Sequence, residues 1–378
     1  MRPESLPPPS LEVGAAVSHE SAELHVSGRA LYADDIVEAA GTLHATIGFA
    51  DVAHARVTAM DFSEVLASPG VVRVLTADDI PGMNLHGIIV RDEPLLAEGT
   101  IHYWGQPLFL VVAASHDEAR RAARHARIGL ERLPAIIDAE AARSAAAQVV
   151  PPRIAVAGDP DAAIAAAATV CAGSIDIGGQ EHFYLEGQVA YALPGEDDRI
   201  VVHSSTQHPS EMQQIVARAL GWPFARVNVQ CRRMGGGFGG KESQSYVFAA
   251  LAALAAVVLQ RPVKLRADRD DDFLLTGKRH AFRIGWQLAA DATGQLQAVR
   301  FDHLVQCGWS ADYSGAVADR AVFHASNAYC VPHFRCESYR ARTNTQSATA
   351  FRGFGGPQGV LGMEVAVQTL ALQRGEDA

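Results

Sequence analysis

The spacing of apolar and polar positions changes several times along the chain, and each change predicts an element. Residues 43–50 (LHATIGFA), 56–62, 71–75 and 108–113 alternate or run apolar over strand-length windows, so strands are expected there. Ser115 or Asp117 then caps a helix that runs to about residue 125. Strands alternating with one clear helix over 21–134 predict a compact α+β unit. Residues 135–152 are rich in alanine and close on a Pro-Pro pair that stops any helix, so 135–157 reads as a linker. At 158–170 (GDPDAAIAAAATV), Asp159 before Pro160 begins an alanine-rich helix. Further on, 226–232 (RVNVQCR) alternates like a strand and 246–259 is a long apolar run with helical residue choices. A short strand at 262–266 and a helix-like stretch at 360–372 complete the pattern.

At 378 residues the chain can bury a sizeable core, and length alone suggests two or three domains. A hydrophobic share of 48% with 20% charged residues is that of a soluble globular protein. The net charge of −10 argues against nucleic acid as a partner. The apolar run at 247–259 is too short to cross a bilayer, so no membrane span is expected. The start (MRPESLPPPS) reads as an extension over 1–20 with no signal for export. Five cysteines (Cys171, Cys231, Cys307, Cys330, Cys336) lack CxxC spacing, which fits a reducing cytoplasm and thiols that pack as small hydrophobes. His25, His44, His54, His102 and His116 are scattered without metal-ligand spacing and read as surface or packing residues.

Between the expected strand at 226–232 and helix at 246–259 lies GGGFGG (235–240), followed by Lys241 and Glu242. Glycines let backbone N–H groups approach a ligand that side chains would block, and a strand-to-helix turn aims those groups at an anion. Gly235, Gly240 and Lys241 fit a phosphate loop, except that Glu242 replaces the Ser or Thr that would reach magnesium. Gly235, Gly237 and Gly240 also fit the dinucleotide fingerprint, with Asp268 beyond the next strand as the ribose acid. A purely structural turn is the third reading. Glu181 with His182, and the acidic run DRDDD at 268–272, lack metal-site spacing; the run reads as a solvated turn, with Lys278 and Arg279 exposed.

A second cluster, AFRGFGGPQ (350–358), places Arg352 and Phe354 on another segment too glycine-rich for an ordinary strand or helix. GGGFGGKE and FRGFGGPQ, with GGQEHFYLE (178–186) and STQ (205–207), resemble the molybdenum-binding large subunit of xanthine dehydrogenases in order and interval over nearly the whole chain. The resemblance implies an α+β fold: a hammerhead-like α/β domain at 21–134, then the first part of a molybdopterin-binding domain at 158–378.

It also implies roles. Glu242 matches the glutamate that hydrogen-bonds the purine ring, although without the resemblance a carboxylate capping the following helix is the favoured reading on dipole grounds. Arg320 matches the purine-contacting arginine; its planar, permanent charge suits a ring oxygen that becomes negative. Phe354, between Gly353 and Gly355, is free to lie against a planar substrate. Gln207 matches a glutamine behind the molybdenum, which takes no direct protein ligand, and Phe238, Gly239 and Arg352 match cofactor-side positions. Aldehyde oxidases share the scaffold and generally lack the glutamate and arginine pair. The implied reaction is hydroxylation of hypoxanthine and xanthine to urate with oxygen from water, by molybdopterin-bound molybdenum. FAD and two 2Fe–2S clusters are expected on a partner chain. The family's general base lies in a C-terminal half without counterpart here, so the isolated chain is expected to be inactive. The alternatives are an aldehyde or N-heterocycle hydroxylase of the same scaffold, a non-catalytic assembly module, or a nicotinamide-binding turn.

Overall fold

The computed structural model describes residues 13–377, so the proline-rich stretch at 1–10 lies outside it. The helix Tyr246–Leu259 (YVFAALAALAAVVL) is apolar on nearly every face and therefore has to be buried on every face. It packs on strands Val189–Pro194 and Val263–Arg266 and on the helix Pro209–Leu220. Phe248, Leu251 and Leu254 are almost fully buried within this core, each contributing about 1.5–3 kcal/mol.

That core covers a seven-stranded sheet, ordered Val227–Gln230, Ile200–Ser204, Val189–Pro194, Val263–Arg266, Leu43–Phe49, Pro107–Ala113, Val71–Leu75. Strands from both halves of the chain share it, because Leu43 pairs in parallel with Val263. A five-stranded sheet, Thr169–Ile177, Ala281–Ala290, Leu296–Gly308, His333–Arg342 and Arg153–Ala157, carries a second core with the helices Ser314–Phe323 and Gly356–Arg374. Strand Ala55–Asp61 forms a smaller sheet with Arg127–Arg132 and Thr100–Ile101 over a third cluster.

Most expected elements are present. Ser115 caps helix His116–Ala123 by accepting from the Glu118 amide, and Asp159 caps Pro160–Ala166 by accepting from Ala162. The segment read as a linker differs: it holds the helix Ala139–Ser144 and the edge strand Arg153–Ala157, whose pairing with His333–Arg342 no local signal encodes. The acidic run also differs from the solvated turn expected. It forms the helix Arg269–Leu275, Asp268 and Asp271 pair with Arg120, and Asp272 is buried, accepting from the Tyr184 hydroxyl at 2.7 Å and the Gln188 amide at 3.1 Å. Lys278 and Arg279 are half-buried, Lys278 paired with Glu181 at 2.8 Å and Arg279 lying over the Phe351 ring. All five cysteines are free, and Cys171, Cys307 and Cys336 are buried.

Candidate active site

The first glycine turn is gripped from two sides. Gln207, on the loop that leads into helix Pro209–Leu220, accepts through Oε1 from the amides of Gly239 at 2.9 Å and Lys241 at 3.3 Å. The main-chain N–H of Gln207 donates to the Lys241 carbonyl at 2.9 Å. Those donors fix the side-chain oxygen toward the turn and leave Nε2 facing Glu242 Oε1 at 3.5 Å. On the other side Glu186 accepts from the Gly235 amide at 2.8 Å and from Ser205 at 2.7 Å.

Lys241 turns away from the glycine loop. Its fully buried ammonium donates to the Glu186 carbonyl and to Ser205 Oγ, both at 2.7 Å, and lies 4.5 Å from the centre of the Tyr184 ring. Burial pulls its pKa down to about 8 against the opposing pull of Glu186. A phosphate loop needs this ammonium on the ligand side, so that reading fails on geometry. The fingerprint reading fails too. Strand Val263–Arg266 pairs with Val189–Pro194 rather than with Val227–Gln230, and the helix begins at Tyr246, beyond the glycines.

Residues 242–245 form a turn ahead of that helix, whose N-cap position is Ser245. Glu242 therefore does not sit where turn becomes helix, as its sequence context suggested, and it is not a capping carboxylate. It is half-buried. Burial raises its pKa, opposed by His208 and reinforced by Glu211.

The second glycine cluster crosses the first. The Arg352 amide donates to the Phe238 carbonyl at 2.8 Å, and His182 Nε2 meets the Ala350 carbonyl at 2.7 Å. The approach is so close that a Cβ on Gly239, at φ +100°, would fall 2.5 Å from the Ala350 oxygen. Gly355 does the same on the far side: at φ +88° its Cβ would lie 2.0 Å from the Val317 carbonyl of helix Ser314–Phe323. That helix carries Arg320.

Arg320 is exposed, and among the described residues no acid pairs with it; neighbouring Asp319 is taken by Arg153 and Arg340. Its Nε lies 3.7 Å from where a Cβ on Gly356 would stand, which places the guanidinium stem beside the start of helix Gly356–Arg374. The link between Phe354 and Glu242 is Tyr313, at the N-cap of the Arg320 helix. Its ring meets Phe354 edge-on, with centres 5.7 Å apart and planes at 67°. Burial raises the pKa of its hydroxyl, and the charges of Glu211, Asp312 and Glu242 raise it further, which puts it within the field of Glu242. Arg320 lies two helical turns beyond Tyr313, about 10 Å along the same face. Glu242, Phe354 and Arg320 thus lie on segments that each border Tyr313 or its helix, while Gln207, Phe238, Gly239 and Arg352 gather where the two glycine segments cross.

Comparison with known proteins gives this arrangement a context. Residues 145–378 match the molybdopterin cofactor-binding domain, and residues 27–134 match the aldehyde oxidase and xanthine dehydrogenase a/b hammerhead domain. The chain belongs to the molybdopterin cofactor-binding domain family. It is 39% identical over 365 residues to a xanthine dehydrogenase of Oryza sativa subsp. japonica, and 39% identical over 364 residues to a xanthine dehydrogenase/oxidase of Mus musculus. Each match covers 96% of this chain and 27% of the relative, so the chain spans about a quarter of the length of these relatives. Among solved structures, the aldehyde oxidoreductase of Desulfovibrio gigas superposes with a TM-score of 0.87 at 30% identity, covering 95% of this chain and 42% of that one. Quinoline 2-oxidoreductase of Pseudomonas putida 86 gives 0.88 at 26% identity, covering 96% and 49%.

The molybdopterin-family residues present here fit an anionic group at the crossing. The amides of Gly236, Gly237 and Phe238 have no hydrogen-bond acceptor among the described residues. Phe238 and Arg352 are exposed beside them, and the side-chain amide of Gln207 is held in place. Neutral N–H donors with one guanidinium suit phosphate and oxo groups.

Sequence reasoning did not single out Tyr313, Asp312, Glu186 or the inward turn of Lys241. A tyrosine after an aspartate in a loop carries no local signal, and the direction of Lys241 is set by Ser205 and Glu186, both distant in sequence.

Proposed function

We propose that this chain is the N-terminal part of a purine-hydroxylating molybdenum enzyme of xanthine dehydrogenase type. The observation that supports the reading is that the segments carrying Glu242, Phe354 and Arg320 meet around Tyr313 and its helix, beside the crossing of the two glycine segments. When bound, the molybdenum cofactor would supply oxygen transfer from water and accept two electrons. Gln207, Phe238, Gly239 and Arg352 would hold it at the crossing.

The purine is then oriented by this chain's own groups. Glu242, with its raised pKa, keeps a proton to higher pH than a free carboxyl; protonated it donates to a ring nitrogen, and ionised it accepts from a ring N–H. Arg320 takes the opposite edge, where its guanidinium stabilises an oxygen that gains negative charge. Phe354 offers a flat face that Tyr313 steadies from the edge. The general base and further cofactor contacts would come from a C-terminal portion of the molybdenum subunit, and electrons would leave to an iron–sulfur and FAD chain. The unpaired cysteines support a cytoplasmic setting. We read 21–134 and 158–378 as the two units of the chain.

A second reading rests on the likeness to quinoline 2-oxidoreductase and aldehyde oxidoreductase: hydroxylation of another N-heterocycle or an aldehyde. One experiment separates the two. The chain, purified with its partner polypeptides, should contain molybdenum and form urate from xanthine. A metal-loaded preparation that oxidises quinoline or benzaldehyde but no purine would overturn the purine assignment, and a partner-bound chain without molybdenum would point to a non-catalytic module.

A further inference from the structure

Segments 242–244, 310–313 and 347–350 come from three distant parts of the chain and meet in a buried polar seam directly behind the site. At its centre is Asp312, which is 6% exposed and has a backbone φ of +34°. Its Oδ2 accepts from Ser243 Oγ and from Gln244 Nε2, both at 2.9 Å. Ser243 Oγ lies 3.1 Å from Thr349 Oγ1, so the same knot reaches the segment that leads into the second glycine cluster. Gln244 continues it by accepting from the Gly277 amide at 2.8 Å. Among the described residues no cation pairs with Asp312; hydrogen-bond donors alone hold it.

The covalent neighbours give this knot a consequence. Ser243 follows Glu242. Asp312 precedes Tyr313, whose ring touches Phe354, and Tyr313 is the N-cap position of the helix carrying Arg320. The helix that follows the Glu242 turn belongs to the first core and the Arg320 helix to the second. The segment before Tyr313 is anchored at its other residues as well: Ser310 Oγ donates to Glu93 at 2.6 Å, and the Ala311 amide donates to Asp92 at 2.9 Å. Asp312 is the residue of that segment bonded to the Glu242 side.

We propose that Asp312 is a positioning residue: by accepting from Ser243 and Gln244 it sets the separation between Glu242 and the Tyr313–Arg320 helix, and hence the fit of the substrate between them. This rests on the reading that Glu242 and Arg320 take opposite edges of one planar ring.

The test uses the assembled, molybdenum-loaded enzyme. Asp312→Ala removes both acceptor bonds and should lower kcat/KM for xanthine by about 10-fold or more, mostly through KM, with a parallel loss in equilibrium binding of a non-reactive purine to the oxidised enzyme. Asp312→Asn keeps an acceptor oxygen and should stay within about 3-fold of the parent. Because the effect acts through Glu242, Asp312→Ala should cost little more in a Glu242→Gln background, whereas a general packing defect would cost the same in both. If Asp312→Ala does not assemble, Ser243→Ala breaks the bond from the other partner and should show the same KM effect and the same dependence on Glu242. Unchanged purine binding in Asp312→Ala or Ser243→Ala, or full additivity with Glu242→Gln, would overturn the positioning role while leaving the purine reading intact. That reading falls separately, if Glu242→Gln itself leaves purine kinetics unchanged.

Discussion

The main-chain amide of Arg352 donates to the main-chain carbonyl of Phe238 at 2.8 Å, so residues more than a hundred positions apart share one backbone bond at the crossing of the two glycine segments. The side chains of both face outward from that bond. Whatever occupies the crossing therefore meets two segments locked in one register.

That register depends on an absent side chain. Gly239→Ala would place a methyl 2.5 Å from the Ala350 oxygen in a backbone conformation L side chains rarely adopt. The segments would have to part, at a cost of about 2 kcal/mol or more. The expected outcome is a folded chain with sharply reduced molybdenum content after assembly, measured by elemental analysis against the parent.

Substrate contact should separate from cofactor retention. If Glu242 contacts the purine as proposed, Glu242→Gln, which keeps the shape but loses the charge, removes a contact worth about 1.5–3 kcal/mol and should cut kcat/KM for xanthine by about 10-fold or more at unchanged molybdenum content. Arg320→Met should do the same. Steady-state assays paired with metal analysis check both.

Lys241 is structural, and its removal should be felt in stability. Lys241→Met leaves the Glu186 carbonyl without its ammonium donor and removes the positive charge 3.8 Å from the Glu186 carboxylate in a buried setting, for which a loss of about 3 kcal/mol is expected. Chemical denaturation of the variant measures it; a change below about 0.5 kcal/mol would contradict the buried network.

Asp312 makes a pH-dependent contribution of defined sign. Burial, reinforced by Glu93, raises its carboxyl to about 7, against hydrogen bonds from Thr349, Ser243 and Gln244 that favour the ionised form. A group whose folded pKa is raised binds more protons when folded, so stability falls as pH rises from about 4 towards 7 and the cost is complete above that. Asp312→Asn should flatten this slope, gaining stability relative to the parent at pH 8 but not at pH 4, as read by denaturation at the two values.

Much of this was legible beforehand. Short alternating or continuously apolar runs gave the strands near 43, 71 and 108, and the longer unbroken apolar run gave helix Tyr246–Leu259, because burial dictates those patterns. Glu242 and Phe354 stood out through their glycine settings, whereas Gln207, Phe238 and Arg352 were picked out by the family resemblance. Other features had no local signature. Strand Arg153–Ala157 exists because His333–Arg342 offers it an edge, and Asp272 is buried because Tyr184, Gln188 and Thr276 come to meet it. Asp312 and Tyr313 matter only because the cores converge there.

Strand Leu43–Phe49 lies between Val263–Arg266 on one flank and Pro107–Ala113 on the other, so the early strands of the chain are zipped onto the side of the late ones in a single sheet. A protease that severs the exposed backbone near Ala145 would therefore produce two bands on a denaturing gel and still one particle in solution.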